Sequence, residues 1–174
     1  MRNLQKLSIV SSLAILAGCS ITQVAQSPLG GIAGGPAGPR DAKISVEPHC
    51  CPSTALEIRA REVVGENSFQ WVEFGFNVPA GRRMNPISGV EVCYEITSSL
   101  PGGTYISQTR LTDMTTPDAA HVKLDDGTDR KDLGPRCYVA SGSFEPEGSV
   151  TLALKVVFEN VSDRIIIGST RLLF

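Results

Sequence analysis

His49-Cys50-Cys51 is the one place in this 174-residue chain where a histidine adjoins cysteines. With His121, the only other histidine, it could in principle hold a metal. Zinc sites space paired ligands by two to four residues, and no second matching pair exists here, so a structural disulfide or an inert thiol is the better expectation. The densest run of hard oxygen donors is Asp125-Asp126-Gly127-Thr128-Asp129-Arg130-Lys131-Asp132. Calcium would take about six to eight oxygens, with Asp125, Asp126 and Asp129 as the candidate ligands. The order is not that of an EF-hand, two cations interrupt it, and Asp126-Gly127 is a strong turn dipeptide, which favours a solvated turn. Glu91 and Glu95 flank Cys93 on one strand face, but a same-strand pair at this spacing stands ~13 Å apart, wider than either glycosidase geometry. There is no Gly-x-Ser-x-Gly elbow, no His-Glu-x-x-His and no phosphate loop. No catalytic residue is assigned.

Binding is the stronger class. Trp71, Tyr94, Tyr105 and Tyr138 could furnish a flat aromatic face for a glycan, although Tyr94 and Trp71 also align with apolar neighbours that could bury them. Tyr105 follows Gly102-Gly103-Thr104, where a loop tip could expose it. Trp71 and Tyr105 are therefore the ligand-binding candidates.

The elements that must position these residues are strands. Val90, Val92, Tyr94 and Ile96 alternate with Glu91, Cys93, Glu95 and Thr97, and Val150, Leu152, Leu154, Val156 and Phe158 alternate with Thr151, Ala153, Lys155 and Val157. Leu56, Ile58 and Ala60 repeat the pattern. Period-two alternation places one face in a core and the other in water, as in antiparallel sheet. Further strands are predicted over 43–47, 69–78, 103–112, 119–125, 136–141 and 163–173, about nine in all, punctuated by Gly/Pro turns. No stretch holds a 3.6-residue apolar period. The expected fold is all-β, an antiparallel two-sheet sandwich of jelly-roll type over 43–174. The ending Arg171-Leu172-Leu173-Phe174 could suggest a final outer-membrane barrel strand, but the row Phe174, Leu172, Thr170, Gly168, Ile166, Arg164 stops being apolar halfway. A core-closing strand is preferred.

The amino-terminal region reads differently. Arg2 and Lys6 precede the apolar run Leu7–Leu16, too short to span a bilayer, and Leu16-Ala17-Gly18-Cys19 closes it. This stretch resembles the lipobox of bacterial lipoproteins. The resemblance implies that residues 1–18 are a signal peptide and that Cys19 becomes the first residue of the mature protein. It further implies that Cys19 carries diacylglycerol and an amino-terminal acyl chain such as palmitate, anchoring the chain to a lipid bilayer. Ser20 in place of aspartate implies the outer membrane, by analogy within that family. Residues 19–42, rich in Gly and Pro, are expected to form a flexible tether.

Without residues 1–18 the chain carries 14 Lys+Arg (16 less Arg2 and Lys6) against 18 Asp+Glu, a formal charge of −4. That argues against nucleic acid as a partner. Once Cys19 is lipidated, Cys50, Cys51, Cys93 and Cys137 form an even set in an oxidising compartment, with three pairings open. Cys93–Cys137 is favoured, each lying in a strand-like segment before a tyrosine; the alternative joins Cys50 or Cys51 to Cys93 or Cys137. The architecture resembles jelly-roll accessory domains of exported bacterial proteins. Together these readings predict a membrane-anchored lipoprotein with a non-catalytic β-sandwich for glycan binding or surface assembly with a protein partner. The alternative is a jelly-roll carbohydrate-active hydrolase or lyase. No cofactor is expected beyond the calcium considered above.

Overall fold

A computed structural model describes residues 23–35, 39–49, 55–78, 85–116 and 118–174. The expected signal peptide, Cys19, Cys50 and Cys51 lie outside them. The described residues form eleven strands: β1 (Gln23–Gln26), β2 (Ile32–Gly34), β3 (Ile44–Pro48), β4 (Leu56–Ala60), β5 (Trp71–Phe76), β6 (Ile87–Thr97), β7 (Tyr105–Thr116), β8 (Ala119–Asp126), β9 (Arg136–Phe144), β10 (Ser149–Val157) and β11 (Arg164–Leu173). Two short 3-10 turns, Pro28–Gly30 and Pro39–Asp41, complete them. Among the described residues no helix is long and apolar enough to cross a membrane.

The strands make two antiparallel sheets. One runs β3-β4-β11-β6-β9, with β1 also on β11; the other runs β2-β5-β10-β7-β8. From β4 onward the chain crosses between the sheets repeatedly, so β4-β11-β6-β9 packs over β5-β10-β7-β8 in the order of a jelly roll. The fold class expected from the alternation is the fold observed. The nine expected strands correspond to β3–β11.

β1 and β2 correct the expected tether. Gln23–Gln26 pairs with Thr170–Leu173, on the edge of β11 that β4 occupies lower down at Arg164–Ile167. Ile32–Gly34 pairs with Trp71–Glu73 of β5. The Gly/Pro content that suggested a flexible segment instead supplies close approach: a Cβ on Gly31 would lie 2.6 Å from the Leu56 side chain. Between the two strands the chain passes from one sheet to the other, closing one side of the sandwich.

The core forms where the two inner faces meet. Phe74 and Phe76 of β5, Leu152 and Leu154 of β10, Ile58 of β4 and Ile165 and Ile167 of β11 are each 2 % exposed or less. Burying such a side chain contributes about 1.5–3 kcal/mol. Several buried polar groups are paired. Asp113 accepts from the backbone N–H groups of Glu147 (2.9 Å) and Gly148 (3.0 Å), which ties the β9–β10 connection to β7. Only glycine fits at 148, where a Cβ would stand 2.0 Å from the Met114 carbonyl oxygen. Tyr138 donates to or accepts from Thr109 across the sandwich at 2.6 Å, and burial pushes its phenol pKa up. Cys93 and Cys137, opposite one another in the β6–β9 ladder, are joined in a disulfide, as favoured from the sequence.

Candidate ligand-binding face

The outer face of the β2-β5-β10-β7-β8 sheet is built by the residues that alternate with its core positions. β5 contributes Trp71, Glu73 and Gly75; β10 contributes Thr151, Ala153 and Lys155; β7 contributes Gln108, Arg110 and Thr112. The ladder aligns Trp71 with Lys155 and Gln108, and Glu73 with Ala153, Arg110 and Asp125. Trp71 is half-buried. The Arg110 guanidinium lies 4.9 Å from its ring centroid, bridging β10 above the small side chain of Ala153. Arg110 is held by Asp125 on β8 at 3.0 Å, and Gln108 donates to the same carboxylate. Among the described residues, Arg110 Nε finds no acceptor. Phe69, just before β5, is 56 % exposed, with the Lys155 ammonium 4.9 Å from its ring centroid.

Phe69 also lines a hollow of about 490 Å³ with Arg40, Asp41, Lys43, Glu62, Asn67 and Gln70. Gln70 fixes its floor: the buried side chain accepts from Lys43 N at 2.7 Å and donates to the Asp41 carbonyl. Two aromatic rings, two cations and further polar side chains therefore share one solvent-facing surface. Such an arrangement can stack on the apolar face of a sugar ring and hydrogen-bond its hydroxyls.

Tyr105, expected at an exposed loop tip, is only 7 % exposed. Its ring lies under the Lys131 ammonium at 4.3 Å, and burial, with Asp129 and Glu66 nearby, raises its pKa. The strand begins at Tyr105 itself, so the ring is held between Lys131 and the sandwich end and is not carried outward by the Gly102-Gly103 turn.

The acidic run is divided among separate partners. Asp125 binds Arg110, Asp126 binds Arg130 at 2.6 Å, and Asp129 binds Lys131 at 2.8 Å. Asp126 also accepts from Thr128 N. Burial alone would raise its pKa, but the Thr128 hydrogen bonds and Arg130 hold it below the usual range. Asp125 sits on the outer sheet face while Asp126 points across the strand, so the two diverge. Among the described residues no three His, Cys, Asp or Glu side chains group as a metal would need.

The opposite sheet carries a second polar cluster on its outer face. Glu57 of β4 is 5 % exposed. It binds His49 Nδ1 at 2.8 Å, Arg59 Nε, and Arg164 at 3.8 Å. Burial alone would raise its pKa, but these hydrogen bonds and charges lower it. His49 is thus engaged by a carboxylate. Glu91 meets Arg171 at 2.7 Å, and the exposed His121 lies on β8 opposite Asp113. A hollow of about 340 Å³ lies over the disulfide between Glu95, Arg136 and Ile166.

Of the sequence candidates, Trp71 alone stands on a solvent-facing aromatic surface. Phe69, Gln108, Arg110 and Lys155 were not singled out. Their outward parity along β7 and β10 was readable, but the pairing that brings β7 and β10 beside β5 was not.

No protein-family model matches the chain, and no curated protein matches its sequence. Solved structures with a similar fold include a family 36 carbohydrate-binding module in complex with calcium and xylotriose, at 11 % identity over 87 % of this chain and 98 % of that one, TM-score 0.44. The cleaved adhesin domain of Lys-gingipain matches at 7 % identity over 87 % and 99 %, TM-score 0.47. The C-terminal family 22 carbohydrate-binding module of a Clostridium thermocellum protein matches at 11 % identity over 83 % and 86 %, TM-score 0.46.

Proposed function

We propose that the chain is a bacterial envelope lipoprotein whose β-sandwich is a non-catalytic binding module, taking a glycan on the outer face of the β2-β5-β10-β7-β8 sheet. One observation carries the binding part. Trp71 and Phe69 each meet a cation on the same exposed surface, with Glu73 beside them in the ladder and Gln108 and Asp125 locking Arg110 in place. Aromatic faces attract the polarised C–H surface of a sugar, and the surrounding charged and amide groups match its hydroxyls. Catalysis would need converging acid and base groups, whereas Asp125 on this face is taken up by Arg110 and Gln108.

The anchoring part rests on Leu16-Ala17-Gly18-Cys19. Two or three acyl chains on Cys19, at ~0.8 kcal/mol per buried CH₂, hold a domain stably at a bilayer, and Ser20 favours the outer membrane.

The test of binding is a glycan array probed with the full chain in detergent, followed by titration of any hit. Binding that falls about tenfold or more in Trp71→Ala, a loss of at least ~1.4 kcal/mol, supports the proposed face. An empty array, or an affinity indifferent to Trp71→Ala, overturns it. Anchoring is tested by metabolic labelling with a palmitate analogue: Cys19→Ala should abolish it, and persistent labelling refutes the lipidated cysteine.

A further inference from the structure

The pairing of β1 fixes which end of the sandwich the chain leaves toward Cys19. Gln23 lies opposite Leu173, at the finish of β11, and β1 then runs back along β11 to Gln26 opposite Thr170. Cys19 precedes Gln23 by four residues, which reach at most about 14 Å even when fully extended. β11 is ten residues long, about 30 Å at the rise of a strand. A link this short cannot turn the sandwich over. A lipid on Cys19 would therefore enter a bilayer beside the end at which β11 finishes.

Trp71 occupies the other end. It opens β5, and the ladder takes β5 from Trp71 opposite Lys155 to Phe76 opposite Val150 near the start of β10, a rise of about 17 Å. The connections β4–β5, β6–β7, β8–β9 and β10–β11 share this distal end, because Arg164, which starts β11, stands opposite both Thr97 and Arg59. Val63, Phe69, Leu100, Leu133 and Val161, each at least 44 % exposed, all lie on these connections. Among the described residues, the proximal end exposes Asp118, Glu145 and Glu147. Such carboxylates belong at a headgroup layer, not in hydrocarbon, so the acyl chains supply the attachment.

We propose that lipidated Cys19 stands the sandwich upright on the bilayer, with the β7–β8 and β9–β10 connections toward the headgroups and the Trp71–Phe69 surface facing the aqueous layer. This rests on the lipidation of Cys19 proposed above. It deepens the binding proposal, because the surface then meets glycan polymers of the aqueous layer and not sugar headgroups of its own leaflet.

Trp71 is the only tryptophan in the chain, so its fluorescence reports its own depth. The full lipidated chain is reconstituted into phosphatidylethanolamine–phosphatidylglycerol vesicles with and without a lipid bearing a headgroup nitroxide, a short-range quencher. Vesicle flotation is scored first. Trp71 emission is expected to be unchanged by the nitroxide lipid, while a single tryptophan placed by Asp118→Trp in a Trp71→Phe background should lose most of its emission. Flotation with Trp71 quenched, or with both positions quenched equally, overturns the upright placement and leaves lipidation standing. Failure to float, with no palmitate on Cys19, overturns both.

Discussion

The Arg110 guanidinium reaches the Trp71 ring, 4.9 Å away, across an intervening strand. β10 separates them, with Lys155 opposite Trp71 and Ala153 opposite Arg110, so the contact runs diagonally past the small side chain of Ala153. Neighbouring strands lie about 4.8 Å apart, so the contact requires a long side chain from β7 and a small one on β10. Asp125 supplies the third condition by holding Arg110 from β8.

Arg110→Ala should therefore expose Trp71 with little loss of fold. An exposed cation–π contact contributes about 0.5–1 kcal/mol, so the denaturation midpoint should move little while iodide quenching of Trp71 rises clearly. Ala153→Leu should have the same optical effect by filling the gap. Unchanged quenching in both variants would mean that Arg110 does not cover the ring in solution.

The Cys93–Cys137 bridge spans 44 residues and joins directly opposed positions of β6 and β9. On the chain-entropy model a loop of this length contributes about 4 kcal/mol, through the unfolded state. The double variant Cys93→Ala/Cys137→Ala should lower unfolding free energy by up to that amount in urea titration, with a native-like circular dichroism spectrum. A loss under about 1 kcal/mol would show that the ladder already restricts the unfolded chain.

Which parts of this were legible beforehand follows from the range of each signal. Alternation such as Val90-Glu91-Val92-Cys93-Tyr94 is local, so all nine strands from β3 to β11 were predicted, and parity placed Cys93 outward. β1 and β2 were missed because four and three residues are too short to show alternation beside the Gly/Pro-rich turns between and after them; their strand character comes from the β11 and β5 edges they cover. Tyr105 was misjudged because the turn before it says nothing of Lys131, which meets it from twenty-six positions on. The Trp71–Arg110–Asp125 line is a property of strand order, and no spacing in the chain encodes it.

Acid should weaken the fold through Glu57 and Asp163. Asp163 is 2 % exposed and accepts from Ser98 Oγ, Ser99 N, Ser99 Oγ and Thr104 Oγ1 at 2.6–2.9 Å. Burial opposes its charge, but these hydrogen bonds prevail and lower its pKa, as His49, Arg59 and Arg164 do for Glu57. A carboxyl whose pKa is lower folded than unfolded stabilises fully above the unfolded value and loses that contribution as pH falls through the folded one. Stability should hold at neutral pH, begin to fall in the ordinary carboxylate range and continue below it. In Glu57→Gln/Asp163→Asn the acid limb should flatten while neutral stability drops; a limb as steep as in the unaltered protein would place the acid response elsewhere.

Tyr138 and Thr109 join the two sheets through one hydrogen bond, 2.6 Å long, with Thr109 fully buried. Tyr138 also meets Tyr94 edge-on at 5.7 Å and lies under the Arg130 guanidinium at 4.3 Å. Tyr138→Phe keeps both ring contacts and removes only the hydroxyl, leaving Thr109 unpaired inside the sandwich. An unsatisfied buried polar group costs about 1–3 kcal/mol, whereas replacing both partners by apolar groups of the same shape is close to neutral. Tyr138→Phe and Thr109→Val should each destabilise, and the double variant should be more stable than the sum of the two losses predicts. That coupling, read from a double-mutant cycle in urea, identifies the bond itself; strictly additive losses would show that the two hydroxyls act apart.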